Sequence, residues 1–298
     1  MTIIKTEEGV VAIIIGIAIL SLTWYLTTTP IDFSSTNVQW NGTSQFFGKI
    51  DGTDVTDVST LNSYSNATLL IIAPTRDYTG GEAEAIRTFL MRGNTLILAD
   101  DFGTGNSLLQ GMNSGITLLQ DNLSSIDTGY TESTSVLAYP NQSHTLLRGV
   151  DTLCLDRPAA ILGGNPLMAT SRLSWIDTDG DHHPDNDENF RQYTIMANET
   201  FGDGELIVIA DPSIFINGMV SSGDQWSNQR FIENIIGIQP PILVDTRHSA
   251  TGKTTEILNW FYSSRSNYPV KFVLIGSLVL IIAWVFNKRS KREEGFEK

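Results

Sequence analysis

A doubly wound, mostly parallel α/β sheet, flanked by N- and C-terminal transmembrane helices, is the fold class that this 298-residue sequence predicts. Three observations predict it. Strand-length apolar runs alternate with helix-period segments through the middle of the chain, that middle is strongly acidic, and a longer uncharged apolar run stands at each end.

The first end run, Val10 to Leu26, carries no charge, and flanking residues extend it towards the roughly 20 needed to cross a hydrocarbon core about 30 Å thick. Trp24 and Tyr25 sit near its end, where aromatic belts form. A cleaved signal peptide and a buried core helix are the competing readings. Thr27-Thr28-Thr29-Pro30 makes a poor cleavage site, which favours an uncleaved anchor.

Inside the middle segment, Leu69-Leu-Ile-Ile-Ala73 is a continuous apolar run of strand length, closed by Pro74. From Gly81 the residues Glu82, Ala83, Ala85, Ile86, Phe89 and Leu90 repeat at helical spacing, with acids in the first turn and Gly93 as the stop. Thr95-Leu-Ile-Leu-Ala99 is the next strand, followed by Asp100 to Gly105 and a short helix through Leu108 and Leu109. Strand, helix and strand in this order make a right-handed parallel unit. Residues 113 to 175 mix short apolar pieces, such as Ser135 to Tyr139, with Gly and Pro, and read as strands and loops inserted at one end of the sheet. Glu205-Leu-Ile-Val-Ile-Ala210 repeats the buried-strand pattern, and Trp226 to Ile236 is a helix with Phe231, Ile232, Ile235 and Ile236 on its apolar face.

The last run, Phe272 to Phe286, is uncharged and stops against Lys288, Arg289, Lys291 and Arg292, a basic cluster expected on the cytoplasmic side. The expected division is therefore a cytoplasmic N-terminus at 1–9, a transmembrane helix or signal anchor at 10–29 and an extracytoplasmic α/β domain at 36–238. A juxtamembrane linker at 239–268, a transmembrane helix at 269–287 and a basic cytoplasmic tail at 288–298 follow. That is a two-pass protein of the cell membrane, partnered by the lipid bilayer.

Charge narrows the function. The chain is −14 overall, and residues 28–268 hold 12 Lys or Arg against 28 Asp or Glu, so a nucleic-acid partner has no electrostatic footprint. One cysteine, Cys154, excludes an intramolecular disulfide and a thiolate zinc cluster. Five Asn-x-Ser/Thr triplets, at Asn41, Asn66, Asn122, Asn141 and Asn198, are N-glycosylation candidates, with an Asn/Ser/Thr-rich surface as the alternative.

Leu69 to Tyr78, the helix through Ile86 to Gly93, and Thr95 to Asn106 resemble the membrane-anchored domain-of-unknown-function family 4350, frequent in archaea. Gly204 to Ser213, with Asn228 and Phe231, resembles its closing motif. The resemblance covers roughly residues 36 to 238 and implies a flavodoxin-like sheet related to class I glutamine amidotransferase-like domains, with no established reaction. Such enzymes carry a cysteine on a strand-to-helix turn, which here falls near Asp100 to Gly105 and holds none. Cys154, in Asp151-Thr-Leu-Cys-Leu-Asp156, lacks a glycine-flanked elbow and reads as a small buried residue. Asp100 and Asp101, with Gly103 and Gly105, are candidates for ligand binding at a strand's C-terminal end, or else a helix cap and a loop acid.

The sharpest motif is Asp177-Thr-Asp179-Gly-Asp181-His-His-Pro-Asp185-Asn-Asp187-Glu188. Its carboxylates at positions 1, 3, 5, 9 and 12 match the oxygen spacing of a twelve-residue calcium loop, with the carbonyl of His183 at position 7 and Asp187 as an alternative acid. His182 stands at position 6, where glycine normally makes the sharp turn, so the segment is calcium-loop-like rather than an EF-hand. Zinc ranks below calcium because oxygen donors dominate. A solvated acidic loop is the competing reading. Neither Gly252-Lys253-Thr254 nor Gly103-Thr-Gly105 completes a phosphate-binding fingerprint.

The functional expectation is a membrane-anchored extracytoplasmic binding or scaffold domain, non-enzymatic, with a calcium-stabilised loop and a membrane or envelope protein as partner. An envelope hydrolase or ligand-binding enzyme, and an accessory subunit of a transport or ATPase-linked assembly, are the alternatives.

Overall fold

The computed structural model of the chain describes residues 15–19, 21, 31–185, 188–220, 225–238, 241–249, 251 and 276. The chain divides into two compact units, Pro30–Gly252 and a second assembled from Met1–Thr29 with Lys253–Lys298. The second is described only at residues 15–19, 21 and 276, all helical.

Thirteen strands and five α-helices are found among the described residues of the larger unit. In chain order the elements are α1 (Ser44–Phe47), β1 (Gly52–Val55), β2 (Thr68–Ile72), α2 (Gly80–Met91), β3 (Thr95–Ala99), α3 (Gly105–Gly111), β4 (Thr117–Leu118), β5 (Asn122–Ser125) and β6 (Leu137–Pro140). They continue with β7 (Leu153–Cys154), β8 (Ile161–Leu162), β9 (Asn165–Thr170), β10 (Ser174–Asp177), β11 (Thr194–Phe201), β12 (Gly204–Ile209), α4 (Asn217–Val220), α5 (Asn228–Ile236) and β13 (Ile242–Asp245). Eleven strands form one sheet along β1-β13-β2-β3-β12-β11-β9-β6-β7, with β8 paired to β11 and β4 to β8, while β10 and β5 form a separate two-stranded ribbon.

Half of the large sheet follows the parallel grammar of the sequence. β1, β13, β2, β3 and β12 are parallel neighbours. Their residues alternate between two cores: Leu70, Ile72, Ile97 and Ile207 pack with Phe231, Ile232 and Ile235 of α5. Leu69, Ile71, Leu96 and Leu206 pack with Ile86, Phe89 and Leu90 of α2 and with Leu108 and Leu109 of α3. Uniformly apolar strands are what a sheet covered on both faces requires. α2 begins with a capping box, in which the Thr79 side chain accepts from the Glu82 N–H and Glu82 accepts from the Thr79 N–H, and Gly93 follows its end at φ +84°.

The other half corrects the expected doubly wound, mostly parallel, flavodoxin-like sheet. β11, β9, β6, β7, β8 and β4 pair antiparallel. The reason is local. Gly202, at φ +59°, and Asp203 turn the chain in two residues from Phe201 to Gly204, so β11 folds back directly on β12 and no crossover helix is needed. The result is a mixed, strand-dominated sheet with few helices. β13, inside the segment expected as a linker, is inserted between β1 and β2.

The expected flanking transmembrane helices and two-pass membrane placement are likewise overturned: among the described residues no helix is long and apolar enough to cross a membrane. Most of both apolar runs, and the basic tail after residue 287, lie outside the described residues.

Candidate functional site

The acidic loop leaves the ribbon directly. β10 pairs with β5 from Ser174↔Ser125 to Asp177↔Asn122, and Asp177, its last residue, is the first acid of the motif. Asp177 and Glu188 are buried whereas Asp179, Asp181 and Asp185 are exposed. One carboxylate oxygen from each of Asp177, Asp179 and Glu188 lies within 4.8 Å of the others, and Asp179, Asp181 and Asp185 form a second such trio. Asp179 is common to both. Asp187 lies outside the described residues.

Backbone amides wind the loop around these acids. Asp177 Oδ1 accepts from Gly180 N at 2.8 Å, Asp179 Oδ1 from Asp181 N at 3.1 Å, and Asp181 Oδ1 from the N–H of exposed His183 at 2.7 Å. Glu188 closes the loop, accepting from Thr178 N at 2.8 Å and Asp185 N at 3.1 Å. His182 takes φ +65°, so the position where glycine was expected has the left-handed backbone that glycine would supply. Its ring stays outside the trios, with Nδ1 3.1 Å from Asp177 Oδ2. An all-carboxylate donor set of this kind fits a hard divalent cation such as calcium.

The second predicted set lies at the C-terminal edge of the parallel strands. Asp100 is buried, and both of its oxygens are taken: Oδ1 by Gly103 N at 3.2 Å and Oδ2 by Gly105 N at 2.7 Å. A Cβ on Gly105 would meet Asp100 Oδ2 at 2.6 Å, and one on Gly103 would meet Asp100 Oδ1 at 2.4 Å, which accounts for both glycines. Asp211, at the end of β12, is also buried and accepts from Asp156 N at 2.8 Å and Ser213 N at 2.7 Å. Burial pushes the Asp100 carboxyl up to about 7 and that of Asp211 to about 8, with the charge of Asp101 adding to both. Asp101 is raised by burial as well. Both Asp100 oxygens accept from the backbone of the following turn.

A third set has no counterpart in the sequence reading. Asp245, at the end of β13, accepts on Oδ2 from the Tyr78 hydroxyl at 2.7 Å and lies 2.9 Å from His248 Nδ1. The Tyr78 and His248 rings stack at 4.0 Å, and Glu82 Oε1 is 3.4 Å from His248 Nε2 and 3.3 Å from Arg247. Burial opposes ionisation of Asp245, but hydrogen bonds from His248 and Tyr78 outweigh it and hold its carboxyl below the usual range. Tyr78, buried beside that carboxylate, is pushed well above the usual phenol value. Asp245-Thr-Arg-His248 was legible as residues, but its partners stand about 165 positions earlier, beyond any local spacing rule.

Cys154 is fully buried, with Sγ 3.4 Å from Ser135 Oγ, and burial pushes its thiol up. Asn228 brackets its backbone, accepting from Cys154 N at 2.9 Å and donating to Cys154 O at 2.7 Å. Such a thiol is a packing residue. Of the sequon asparagines, Asn66 and Asn141 are exposed, and Asn41, Asn122 and Asn198 are half-buried.

Fold and site together define a mixed α/β domain whose carboxylates either lock strand-end turns or gather in one loop. Residues 35–236 match the family described as domain of unknown function (DUF4350), and the chain belongs to that family. No curated protein matches it. Among solved structures, the chain is similar to the mmIFT52 N-terminal domain at 16% identity and a TM-score of 0.45, over 61% of this chain and 80% of that one. It is also similar to a beta-galactosidase from Bacillus circulans sp. alkalophilus at 14% identity and a TM-score of 0.35, over 61% of this chain and 24% of that one. Likeness at this level lends the chain neither an activity nor a partner.

Proposed function

We propose that the chain is a non-enzymatic binding domain in which calcium stabilises the Asp177–Glu188 loop and, through it, the ribbon that meets a partner protein. The observation that carries the reading is the pair of carboxylate trios sharing Asp179, each with its oxygens within 4.8 Å, built onto the last residue of β10. Asp177, Asp179 and Glu188 are the residues that would hold the ion, with Asp181 and Asp185 completing the shell. Residues that flank the ribbon and its loop expose large apolar side chains: Ile126, whose N–H donates to Leu173 O, is 60% exposed, Leu173 50% and Phe190 45%. Phe190 rests edge-on against buried Trp175 of β10, so order in the loop transmits to this surface. Exposed apolar groups around one ribbon favour a protein partner.

The resemblance to amidotransferase-like domains is carried in this proposal by the parallel strands β2, β3 and β12 alone; a buried Cys154 and a strand-end turn without a thiol do not supply their nucleophile. Glycosylation, where the producing organism performs it, would be read first at exposed Asn66 and Asn141.

Calorimetric titration of the full chain with calcium, magnesium and zinc, alongside thermal melts in chelator, tests the reading. Calcium binding with a raised melting temperature, lost in the Asp179→Asn, Asp181→Asn double variant, supports it. A melt that ignores calcium up to several millimolar, or a response that survives the double variant, overturns it.

A further inference from the structure

The Tyr78, Glu82, Asp245 and His248 set performs no task in the calcium reading, and its hydrogen bonding is over-determined. A neutral imidazole has one N–H, yet both ring nitrogens of His248 face carboxylates, Nδ1 at 2.9 Å from Asp245 and Nε2 at 3.4 Å from Glu82. The Nδ1 contact is a hydrogen bond and the Nε2 contact an ion-pair distance, and the ring attracts both carboxylates by charge only as an imidazolium. The two carboxylates sit on different elements, Asp245 at the end of β13 and Glu82 in the first turn of α2, so the charged ring ties the chain leaving the sheet to the start of a helix.

We propose that His248 is a proton-controlled latch: protonated, it clamps Asp245–Ser249 onto the N-terminus of α2, and deprotonated, it loosens that segment. The groups facing it are Tyr78 and Glu82 from the α2 side, Asp100 from the end of β3, which acts on Tyr78, and Asp245 and Arg247 on its own segment. Histidine is the side-chain type among these whose charge ordinarily changes between pH 5 and 8. Asp245 and Glu82 are both held below the carboxylate range, and Tyr78 stays protonated. The linkage is therefore one-sided: the latch is closed below the imidazole titration and opens as pH rises through it, leaving Asp245 and Glu82 without their shared counter-charge. Asp100, pushed up to about 7, ionises over the same interval and adds one negative charge near Tyr78. What remains then is Arg247 on Glu82 at 3.3 Å, the Tyr78 hydroxyl on Asp245 at 2.7 Å, and the attachment through Thr75 N to His248 O at 2.7 Å and the Ser249 hydroxyl to Ile72 O.

Hydrogen exchange of the full chain, followed by mass spectrometry from pH 5 to 8.5 and corrected for intrinsic exchange, reads the segment separately from the other histidines. Protection of Asp245–Ser249 should fall about tenfold or more as pH rises, the loss expected for one charge-assisted hydrogen bond. His248→Gln, which cannot titrate, should flatten the profile. Glu82→Gln keeps an acceptor for the capping box but removes one charge from the ring, so it should shift the midpoint to lower pH. Protection that is constant with pH, or a full decline persisting in His248→Gln, overturns the latch. Should His248→Gln fail to fold, an unmoved midpoint in Glu82→Gln overturns it equally.

Discussion

The C-terminal edge of the parallel strands and the loop after β10 both concentrate aspartates, and they use them in opposite ways. At the edge, Asp100 and Asp211 are buried and bound by backbone N–H groups, Asp100 by those of the turn after β3 and Asp211 by Ser213 N of its own turn and Asp156 N after β7. In the loop, three of the described acids are exposed and the carboxylates crowd one another within 4.8 Å. Residue type is shared; the backbone differs. A strand ending inside a two-faced core delivers its next side chain into the protein, where only local amides can satisfy it. The loop after the peripheral ribbon turns Asp179, Asp181 and Asp185 to solvent, where, in the calcium proposal, a cation would relieve their mutual repulsion.

One alanine in each region gives the largest contrast. Gly105→Ala places a Cβ 2.6 Å from Asp100 Oδ2, and displacing that buried carboxylate from its N–H partners should cost on the order of 3 kcal/mol. Gly180→Ala meets nothing within 4 Å, but φ is +78°, so it should cost about 1 kcal/mol of backbone strain alone. Denaturant unfolding of both variants checks the difference. Equal losses would mean that the edge turn is no more constrained than the loop.

The calcium response sharpens the contrast with a smaller effect. At a hundredfold excess over the dissociation constant, an ion that binds only the folded state adds about 2.7 kcal/mol. Asp179→Asn should abolish that gain and Asp100→Asn should leave it intact. A gain abolished by Asp100→Asn would relocate the cation to the strand edge.

The two regions also differ in how far sequence reached them. β3, β12, α2 and α5 were readable because their patterns are local: apolar runs of strand length, and apolar positions at helical spacing behind Thr79 and Glu82. The calcium-like spacing was readable for the same reason. The antiparallel half was not, because β4, β7 and β8 are two residues long and are strands only through their partners. β13 was hidden differently. It follows Pro240 and Pro241 and precedes a polar stretch, so Ile242–Asp245 resembled a linker until β1 and β2 closed on it. Asp211 was noticed only as the end of a strand, since nothing in Ala210-Asp-Pro212 reveals that the side chain folds inward.

That inward turn yields an effect specific to the edge. An aspartate in the unfolded chain titrates near 3.9, whereas Asp100 and Asp211 are raised to about 7 and about 8. The folded state therefore binds these protons more tightly. Their contribution is fully present below about pH 4, is lost as pH rises towards 8, and is constant above it. Asp245 and Glu82 run the other way, being lowered, and lose their contribution only in acid. Between pH 5 and 8.5 the melting temperature of the full chain in chelator should accordingly fall. Asp211→Asn imitates the protonated acid and still accepts from Ser213 N, so it should remove about half of that slope. Its melting temperature at pH 5 should be slightly lower than that of the unaltered chain, because the amide presents an N–H to Asp156 N where the carboxylate accepted. The slope is the discriminating quantity. The His248 latch would add its own pH dependence over this interval, so the slope is compared in the His248→Gln background. If Asp211→Asn keeps the whole slope in that background, the strand-edge carboxyls are ionised throughout and the contrast between the two regions rests on packing alone.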